Sequence, residues 1–420
     1  MITRPAILRP RILRNQVGAR IFAPSGKPFI QRINFTGGSI IDYTNMNTSS
    51  ANRFFTRGPV THALGLAKGQ YYANYNPTGT SYGWTQQGTY EFGTYGANTP
   101  TIQTNHLGEI NAAPADLVFM FCGLNDLGNG SATAALTFSR IQTYVAALQA
   151  AGHKNIAIAG ITPRRSSYNP TGTDGKTLAV RNVETNDLLR PWCAANKIPF
   201  CDWYSVLNDG SGFLRTDLSI DDTHPNTLGA QKMGVFLDQF LRDNYVLGAS
   251  PYNAALQASL NPESDCTSGW TNTQFGTGGS ATQTTIAATD GLGSWRRVTT
   301  NNPVTATNTT YFTRDNTPIP AAWGHVNGEL LQPVLELRME TEGVCAIDAS
   351  INNGGSSALS CFNLNFFETH QPFHGVFFGQ PFAANASTLL NVRVTIRGSV
   401  SLDFRRFGFR KVNSRIPPFI

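Results

Sequence analysis

Apolar positions follow two different rhythms along the chain. Between residues 30 and 245, short apolar runs alternate with helix-like stripes. Ile33-Asn34-Phe35-Thr36 and Thr89-Tyr90-Glu91-Phe92 are the first strand candidates, followed by the continuous run Leu117-Val118-Phe119-Met120-Phe121-Cys122. An unbroken apolar run of that length fits a strand covered on both faces. Ile156-Ala157-Ile158-Ala159 and Ile198-Pro199-Phe200-Cys201 are two more. Phe138, Ile141, Val145 and Leu148 recur at helical spacing, giving one apolar stripe. Leu178 to Asn196 also reads as a helix, which Pro191 is expected to kink or end. A last helix is expected over Thr227 to Leu241, with Asn226 as N-cap and Met233, Phe236, Leu237 and Phe240 as its buried face. Strands alternating with helices predict a parallel sheet with helices on both sides.

The rhythm then changes to period two. Leu335, Leu337 and Met339 alternate with Glu336, Arg338 and Glu340, and Leu390, Val392, Val394 and Ile396 alternate with polar residues. Gly398-Ser399 and then Val400, Leu402 and Phe404 complete a hairpin signal. No helical stripe stands out in this half, which predicts an antiparallel β-sandwich, jelly-roll-like, of about 160 residues. The division expected is an extended arm over 1–30, an α/β domain over 31–245, a linker over 246–262 and the β-sandwich over 263–420.

Charge is low overall, 14% of residues, and unevenly placed. Seven basic residues (Arg4, Arg9, Arg11, Arg14, Arg20, Lys27, Arg32) precede the first acidic one, Asp42. Removing those seven from the 32 Lys and Arg leaves 25 against 26 acids, so the rest of the chain is near neutral. A basic arm on a neutral body argues against a nucleic-acid-binding enzyme, whose basic surface belongs on the folded domain. Pro5, Pro10, Pro24 and Pro28 keep the arm from being helical. No run approaches the roughly 20 apolar residues of a membrane span. No apolar run of signal-peptide length follows the basic start, so the arm is expected to be retained. Cys122, Cys193, Cys201, Cys266, Cys345 and Cys361 form no CxxC pair and no Cys/His metal spacing. They read as isolated buried thiols, with a Cys345–Cys361 bridge left open.

Four short motifs occur in order. Gly37-Gly38-Ser39 ends the first strand, where glycines permit a sharp turn that exposes a serine Oγ above the sheet. Gly93-Thr94-Tyr95-Gly96 follows the second strand; a glycine there lets a backbone N–H approach a substrate, and Gly79, Gly83 and Gly88 compete for that role. Gly123-Leu124-Asn125-Asp126 follows the most apolar strand, at the carboxyl end where open α/β sheets place their sites. Asp221-Asp222-Thr223-His224-Pro225-Asn226 precedes the last helix. An Asp three residues before a His folds back to accept its Nδ1–H, which fixes the tautomer. Asp222 competes with Asp221 for that role, and Asp126 reads as structural support for the Asn125 loop.

Taken together, the four motifs resemble those of the SGNH (GDSL-like) hydrolases, which carry Ser, Gly, Asn and His in four ordered blocks. The resemblance covers Ile33 to Leu241 and departs at Gly38, where the family has Asp. It implies a three-layer, flavodoxin-like α/β fold and a serine esterase with Ser39, His224 and Asp221 as catalytic residues. It also implies an oxyanion hole from the N–H groups of Ser39 and Gly96 and the Asn125 amide, with no metal and no cofactor. Arg164 and Arg165, after the fourth strand, are candidates for substrate contact at the site mouth, a solvated loop being the alternative.

The expected substrate is an O-acetyl group on bacterial surface polysaccharide. No long apolar segment suggests a lipid lid, and Trp270, Trp295, Trp323, Phe373 and Phe377 are candidates for stacking on sugars, core packing being the alternative. The retained basic arm, low charge and Thr/Asn/Gly-rich texture suggest a phage tail-associated virion protein. The arm would dock onto other virion proteins, and a homotrimer is one possibility. Two alternatives stand: a secreted, extracellular polysaccharide acetylesterase, and a structural or receptor-binding virion protein with an inactive hydrolase domain.

Overall fold

A computed structural model describes residues 26–47, 52–54, 57–76, 78–79, 89–129, 131–248, 271–275, 279–290, 293–301, 309–318, 328, 330–353, 358–363, 368–378, 382–383 and 389–411. The arm up to residue 25, residues 249–270 around the expected linker, Gly83, Gly88, Trp270 and Trp323 lie outside the described residues. Val246–Leu247, at the start of that linker, pair in parallel with Phe29–Ile30.

The apolar runs, with Tyr72–Ala73 that the pattern does not mark, form one parallel sheet, and of the strand expected over 89–92 only its end is kept: β1 (Arg32–Gly37), β2 (Tyr72–Ala73), β3 (Phe92–Gly93), β4 (Leu117–Phe121), β5 (Ile156–Ala159) and β6 (Phe200–Cys201). The order is β2-β1-β4-β5-β6, with β3 also on β1. Every pairing is parallel. The helices are α1 (Ser39–Asp42), α2 (Pro59–Ala67), α3 (Thr99–Ala112), α4 (Leu124–Leu127), α5 (Ala134–Ala150), α6 (Leu178–Ala195), α7 (Trp203–Leu207) and α8 (Thr227–Asn244). Neighbouring strand residues point to opposite faces. Phe119 meets Trp203 of α7 and Phe240 of α8 on one face. Thr36, on the other, lies 3.1 Å from the Tyr144 hydroxyl of α5. The sheet is therefore sandwiched between helices, as the alternation predicts.

Several local expectations change. Helix α6 runs through Pro191 without ending. Pro191 has no N–H to give the Asp187 carbonyl, and Asp187 lies on an exposed face where water can serve it. Phe236 of α8 is partly exposed, whereas Met233, Leu237 and Phe240 are buried and Asn226 Oδ1 caps the Gly229 N–H at 2.9 Å. Helices α2 and α3 carry too few periodic apolar residues to be read from the pattern.

Among the described residues of the C-terminal half the regular elements are antiparallel strands: β7 (Thr271–Phe275), β8 (Ser280–Ala287), β9 (Ser294–Asn301), β10 (Thr309–Pro318), β11 (Leu330–Met339), β12 (Gly343–Asn353), β13 (Ala358–Asn363), β14 (Glu368–His370), β15 (Phe373–Phe378), β16 (Phe382–Ala383), β17 (Leu389–Gly398) and β18 (Val400–Lys411). Two six-stranded sheets result, β7-β10-β17-β12-β13 with β14 on β12, and β8-β9-β18-β11-β15 with β16 on β11. The expected hairpin at Gly398-Ser399 is instead an arch: β17 belongs to one sheet and β18 to the other. Period-two alternation is the same for two strands of one sheet or of two facing sheets, so the pattern cannot distinguish them. Gly398 has φ +86°, and a Cβ there would lie 2.6 Å from the Val344 carbonyl oxygen. Glu336, which alternates with Leu335 and Leu337, is buried like them; Arg405 Nε donates to its Oε2 at 2.8 Å. Cys345 is a buried free thiol, so the Cys345–Cys361 bridge is not formed. Trp295 and Phe377 are buried and unavailable for sugar stacking, and Phe373 packs edge-on against Phe377.

The two halves share packing. Val334 and Val376 belong to the same apolar cluster as the parallel sheet. A Cβ on Gly65 of α2 would lie 2.6 Å from the Phe377 ring, so helix and ring are in direct contact there.

A buried carboxyl pair joins the last residue of α1, Asp42, to Glu91 just before β3. Asp42 and Glu91 are each 1% exposed, and the space beside Gly93 is closed by Glu91 Oε2 and the Asp42 backbone. Burial, and then the neighbouring Asp42, push the Glu91 pKa well above the carboxylate range. The folded state therefore keeps a proton that the unfolded chain loses near pH 4.5. Its stability falls as pH rises above that point, at up to about 1.4 kcal/mol per pH unit for one proton, until the folded pKa is passed. Glu91→Gln should remove that slope. Urea titrations of both proteins from pH 4.5 to 8 would check it; equal slopes would refute a protonated pair.

Candidate active site

The four motifs converge at the carboxyl ends of the central strands. β1 stops at Gly37 because the chain turns tightly against β4: a Cβ at residue 37 would lie 2.3 Å from the Phe121 carbonyl oxygen. Only glycine permits that approach. The Gly38 N–H donates to the same oxygen at 3.3 Å, and Ser39 opens α1. Gly38 itself has φ −83°, so the missing family Asp is not a matter of backbone strain.

His224 sits in the loop before α8. Its Nε2 is 2.8 Å from Ser39 Oγ and its Nδ1 is 2.8 Å from Asp221 Oδ2. Asp221 Oδ1 accepts the backbone N–H groups of Thr223 and His224, both at 2.7 Å. Partial burial would raise the Asp221 pKa, but the hydrogen bonds from the His224 ring and these backbone donors outweigh it and hold the carboxyl below its usual range. An ionised Asp221 requires the proton on Nδ1, which leaves Nε2 as acceptor for the Ser39 hydroxyl. Asp222 is not placed against the ring: its carbonyl accepts the Arg165 N–H at 3.0 Å and its carboxylate accepts the Ser167 hydroxyl.

Two aromatic rings pack against the histidine and each other, Tyr43 four residues after Ser39 and Tyr95 beside Gly96. Tyr43 stacks on His224 at 4.7 Å between ring centres and Tyr95 at 5.8 Å. Burial, followed by Tyr95 and Asp221, raises the Tyr43 pKa and keeps it a neutral phenol.

Asn125 lies in α4. Its Oδ1 accepts from Arg164 Nη2 at 3.0 Å and its Nδ2 donates to the Ala97 carbonyl at 3.1 Å. Guanidinium can only donate and carbonyl can only accept, so the amide is oriented by chemistry. A Cβ on Gly38 would lie 3.5 Å from Asn125 Nδ2, which puts that nitrogen beside the Ser39 turn. Gly96 has φ +71° and is open on its Cβ side, at the cleft. Gly79 is instead packed against Thr89 and Asn76. Asp126 is fully buried; its Oδ2 accepts the Thr99 N–H at 2.8 Å and its Oδ1 accepts from Arg140 Nη1 at 2.9 Å, tying α3 and α5 to the Asn125 turn.

An open cleft of about 310 Å³ contains Ser39, Tyr95, Gly96, Asn125, Arg164, Asp221 and His224, with Asn129, Tyr168, Asp222 and Thr223 completing its wall. The Arg164 guanidinium is 4.8 Å from the Tyr168 ring centre. Arg165 is outside the cleft: its Nε donates to Ser219 Oγ at 2.8 Å and its Nη2 to the Ser219 carbonyl at 2.7 Å, bracing the loop that carries Asp221. Among the described residues, no cluster of His, Cys, Asp and Glu has the arrangement of a metal site.

Residues 60–232 match the profile of the family described as the GDSL-like Lipase/Acylhydrolase family. The matched segment holds Gly96, Asn125, Asp221 and His224 but begins after Ser39, whose place in the site rests on the geometry above. Similar solved structures include a carbohydrate esterase family 3 protein from Talaromyces cellulolyticus (17% identity, 51% of this chain and 97% of that one, TM-score 0.38). A lipolytic protein of the G-D-S-L family from Veillonella parvula aligns at 18% identity, over 50% of this chain and 97% of that one, with TM-score 0.37. A GDSL-like lipase from Bacteroides thetaiotaomicron aligns at 19% identity, over 51% and 88%, with TM-score 0.36. No curated protein matches the chain.

Proposed function

We propose that the α/β half is a serine esterase that removes short acyl groups, acetyl above all, from a carbohydrate carrier. The observation that carries this is the continuous Ser39–His224–Asp221 relay, with 2.8 Å at each side-chain contact. The acylhydrolase family match over residues 60–232 supports the same reaction class.

Ser39 Oγ attacks the ester carbonyl as His224 Nε2 takes its proton, and Asp221 stabilises the resulting imidazolium. The N–H groups of Ser39 and Gly96 and the Asn125 amide receive the oxyanion. His224 then protonates the departing sugar hydroxyl. Water, activated by the same histidine, attacks the acyl-Ser39 carbonyl and releases the free acid. Every proton is handled by His224, so the scheme calls for no metal.

The cleft wall favours a small acyl group on a polar carrier. Asn125, Asn129, Arg164, Asp222 and Thr223 line the cleft with Ser39, beside the rings of Tyr95 and Tyr168, a mixed wall that suits the hydroxyls and ring faces of a sugar. Polysaccharide O-acetyl groups meet both conditions. We take the two C-terminal sheets to face each other as a sandwich, because Val394 and Ile396 of one and Leu335, Leu337, Leu402 and Phe404 of the other are all buried. The virion setting, with the basic arm as the docking segment, remains part of the proposal on sequence grounds. Particles assembled normally from arm-deleted protein would count against it.

The direct test is hydrolysis of p-nitrophenyl esters of two, four and eight carbons, beside Ser39→Ala. Activity should be highest on acetate, fall at least tenfold by eight carbons and disappear in the variant. Equal or rising rates with chain length would refute the short-acyl reading.

A further inference from the structure

Glu368, a side chain of the C-terminal sheets, reaches the start of α8 beside the catalytic loop. Thr227 is the first residue of α8, three positions after His224, and its backbone N–H is one of the groups a helix start leaves without an internal partner. Glu368 of β14 supplies the acceptor: its Oε2 lies 2.8 Å from Thr227 N. A carboxylate at a helix N-terminus is also favoured by the helix dipole. Asn226 caps Gly229, so α8 is held at its start from within the α/β half and from the β half.

The other Glu368 oxygen accepts from Arg57, with Nε at 3.0 Å. Arg57 directly precedes Gly58, which is pressed against the backbone of Tyr43: a Cβ on Gly58 would be 2.4 Å from the Tyr43 carbonyl oxygen. Tyr43 is the ring stacked on His224. Glu368 thus bridges the two structures that confine the histidine, the start of α8 beneath it and the Tyr43 segment beside it. One turn further along α8, Gln231 and Gln371 clasp each other: the Gln371 N–H donates to Gln231 Oε1 at 3.0 Å and Gln231 Nε2 donates to the Gln371 carbonyl at 3.3 Å.

We propose that Glu368 is a positioning residue for His224, and that the β half is thereby a working part of the esterase rather than a detachable carrier module. This rests on the proposed role of His224 as the general base. The chemistry is specific. Thr227 needs an acceptor and Arg57 needs an anion, and Glu368 meets both while it is 14% exposed and so little diluted by solvent. Losing it frees the 224–227 segment to shift. Displacement of a catalytic group by about an ångström costs on the order of 10²-fold in rate.

The test compares wild type, Glu368→Ala, Glu368→Gln and Ser39→Ala in the full chain. Turnover of p-nitrophenyl acetate is measured together with hydrogen exchange of the amides of residues 224–230. Glu368→Ala should lose roughly 10- to 100-fold in kcat with KM changed less than threefold, and exchange should rise in 224–230 while the central strands stay protected. Glu368→Gln keeps an acceptor for Thr227 but no anion for Arg57, and should regain part of the rate and the protection. Unchanged kcat and exchange in Glu368→Ala would overturn the proposal. So would a loss that Glu368→Gln does not regain, or one that accompanies faster exchange throughout the chain. Failure of the esterase reading looks different: wild type would be as inert as Ser39→Ala, while the exchange comparison would still report whether Glu368 holds the loop.

Discussion

Asp221→Asn should lower kcat on p-nitrophenyl acetate by about 10⁴-fold, whereas Asp222→Asn should stay within about threefold of wild type. The ionised Asp221 carboxylate accepts the Nδ1 proton of His224 and two backbone N–H groups of its own loop. An amide at 221 can offer its N–H to Nδ1, which favours the tautomer with the proton on Nε2. That nitrogen then cannot accept the Ser39 proton. The loop should remain folded, because the amide oxygen still serves Thr223 and His224. Asp222 lacks any bond to the ring. Ser39→Ala sets the ceiling, on the order of 10⁶-fold, since no nucleophile remains. The pH profile adds a check. Hydrogen bonding keeps Asp221 ionised well below neutrality, so its titration should not shape activity between pH 5 and 9. Removal of its charge should depress the rate throughout that range. Equal losses in Asp221→Asn and Asp222→Asn would refute the assignment.

The part of this site that could be read from the chain is the part made by local spacing. Asp221 and His224 are three residues apart, so their contact is a property of one turn. Ser39 and Asn125 each follow a strand by one or a few residues, and parallel strands bring such ends to one edge whatever the intervening length. Gly96 was one of several glycines in its region. Its positive φ and open Cβ side distinguish it from the enclosed Gly79, and neither property has a sequence signature. Tyr43, Tyr95, Tyr168 and Glu368 were not legible. Tyr43 and Tyr95 reach His224, and Glu368 reaches Thr227, across more than a hundred residues, while Tyr168 sits four residues from Arg164; a lone tyrosine or glutamate carries no periodic signal.

The fold shows the same divide. Strongly periodic elements, β4 and α5 among them, lie where their patterns put them. The pattern falls short where one pattern serves two structures. Alternation over Leu390–Phe404 fits a hairpin or an arch between sheets. Glu336 alternates like a surface residue, yet Arg405, Asp290 and Trp295 cover it and its partner. A buried ion pair with several acceptors reads in sequence like any exposed polar row.

Asn125→Ala should lower kcat by roughly 10²–10³-fold with little change in KM, the cost of one oxyanion donor. An amide hydrogen aimed at developing negative charge is worth little to the uncharged ester and much to the tetrahedral state, so the loss belongs in kcat. Asn125→Asp should be at least as severe: the shape is kept, the donor is lost, and a negative group faces the oxyanion. The Arg164 variants then separate orientation from charge. Arg164 Nη2 holds Asn125 Oδ1 at 3.0 Å, while Nδ2 is held by the Ala97 carbonyl at 3.1 Å. With Arg164→Met, only the Ala97 bond resists rotation of the amide, and the rate should fall by less than in Asn125→Ala, about tenfold. In the double variant Asn125→Ala/Arg164→Met, loss of Arg164 should add almost nothing, because its effect passes through the amide. Full additivity on the logarithmic scale would show that Arg164 acts on the substrate directly, and rates within threefold of wild type for Asn125→Ala would remove Asn125 from the oxyanion hole.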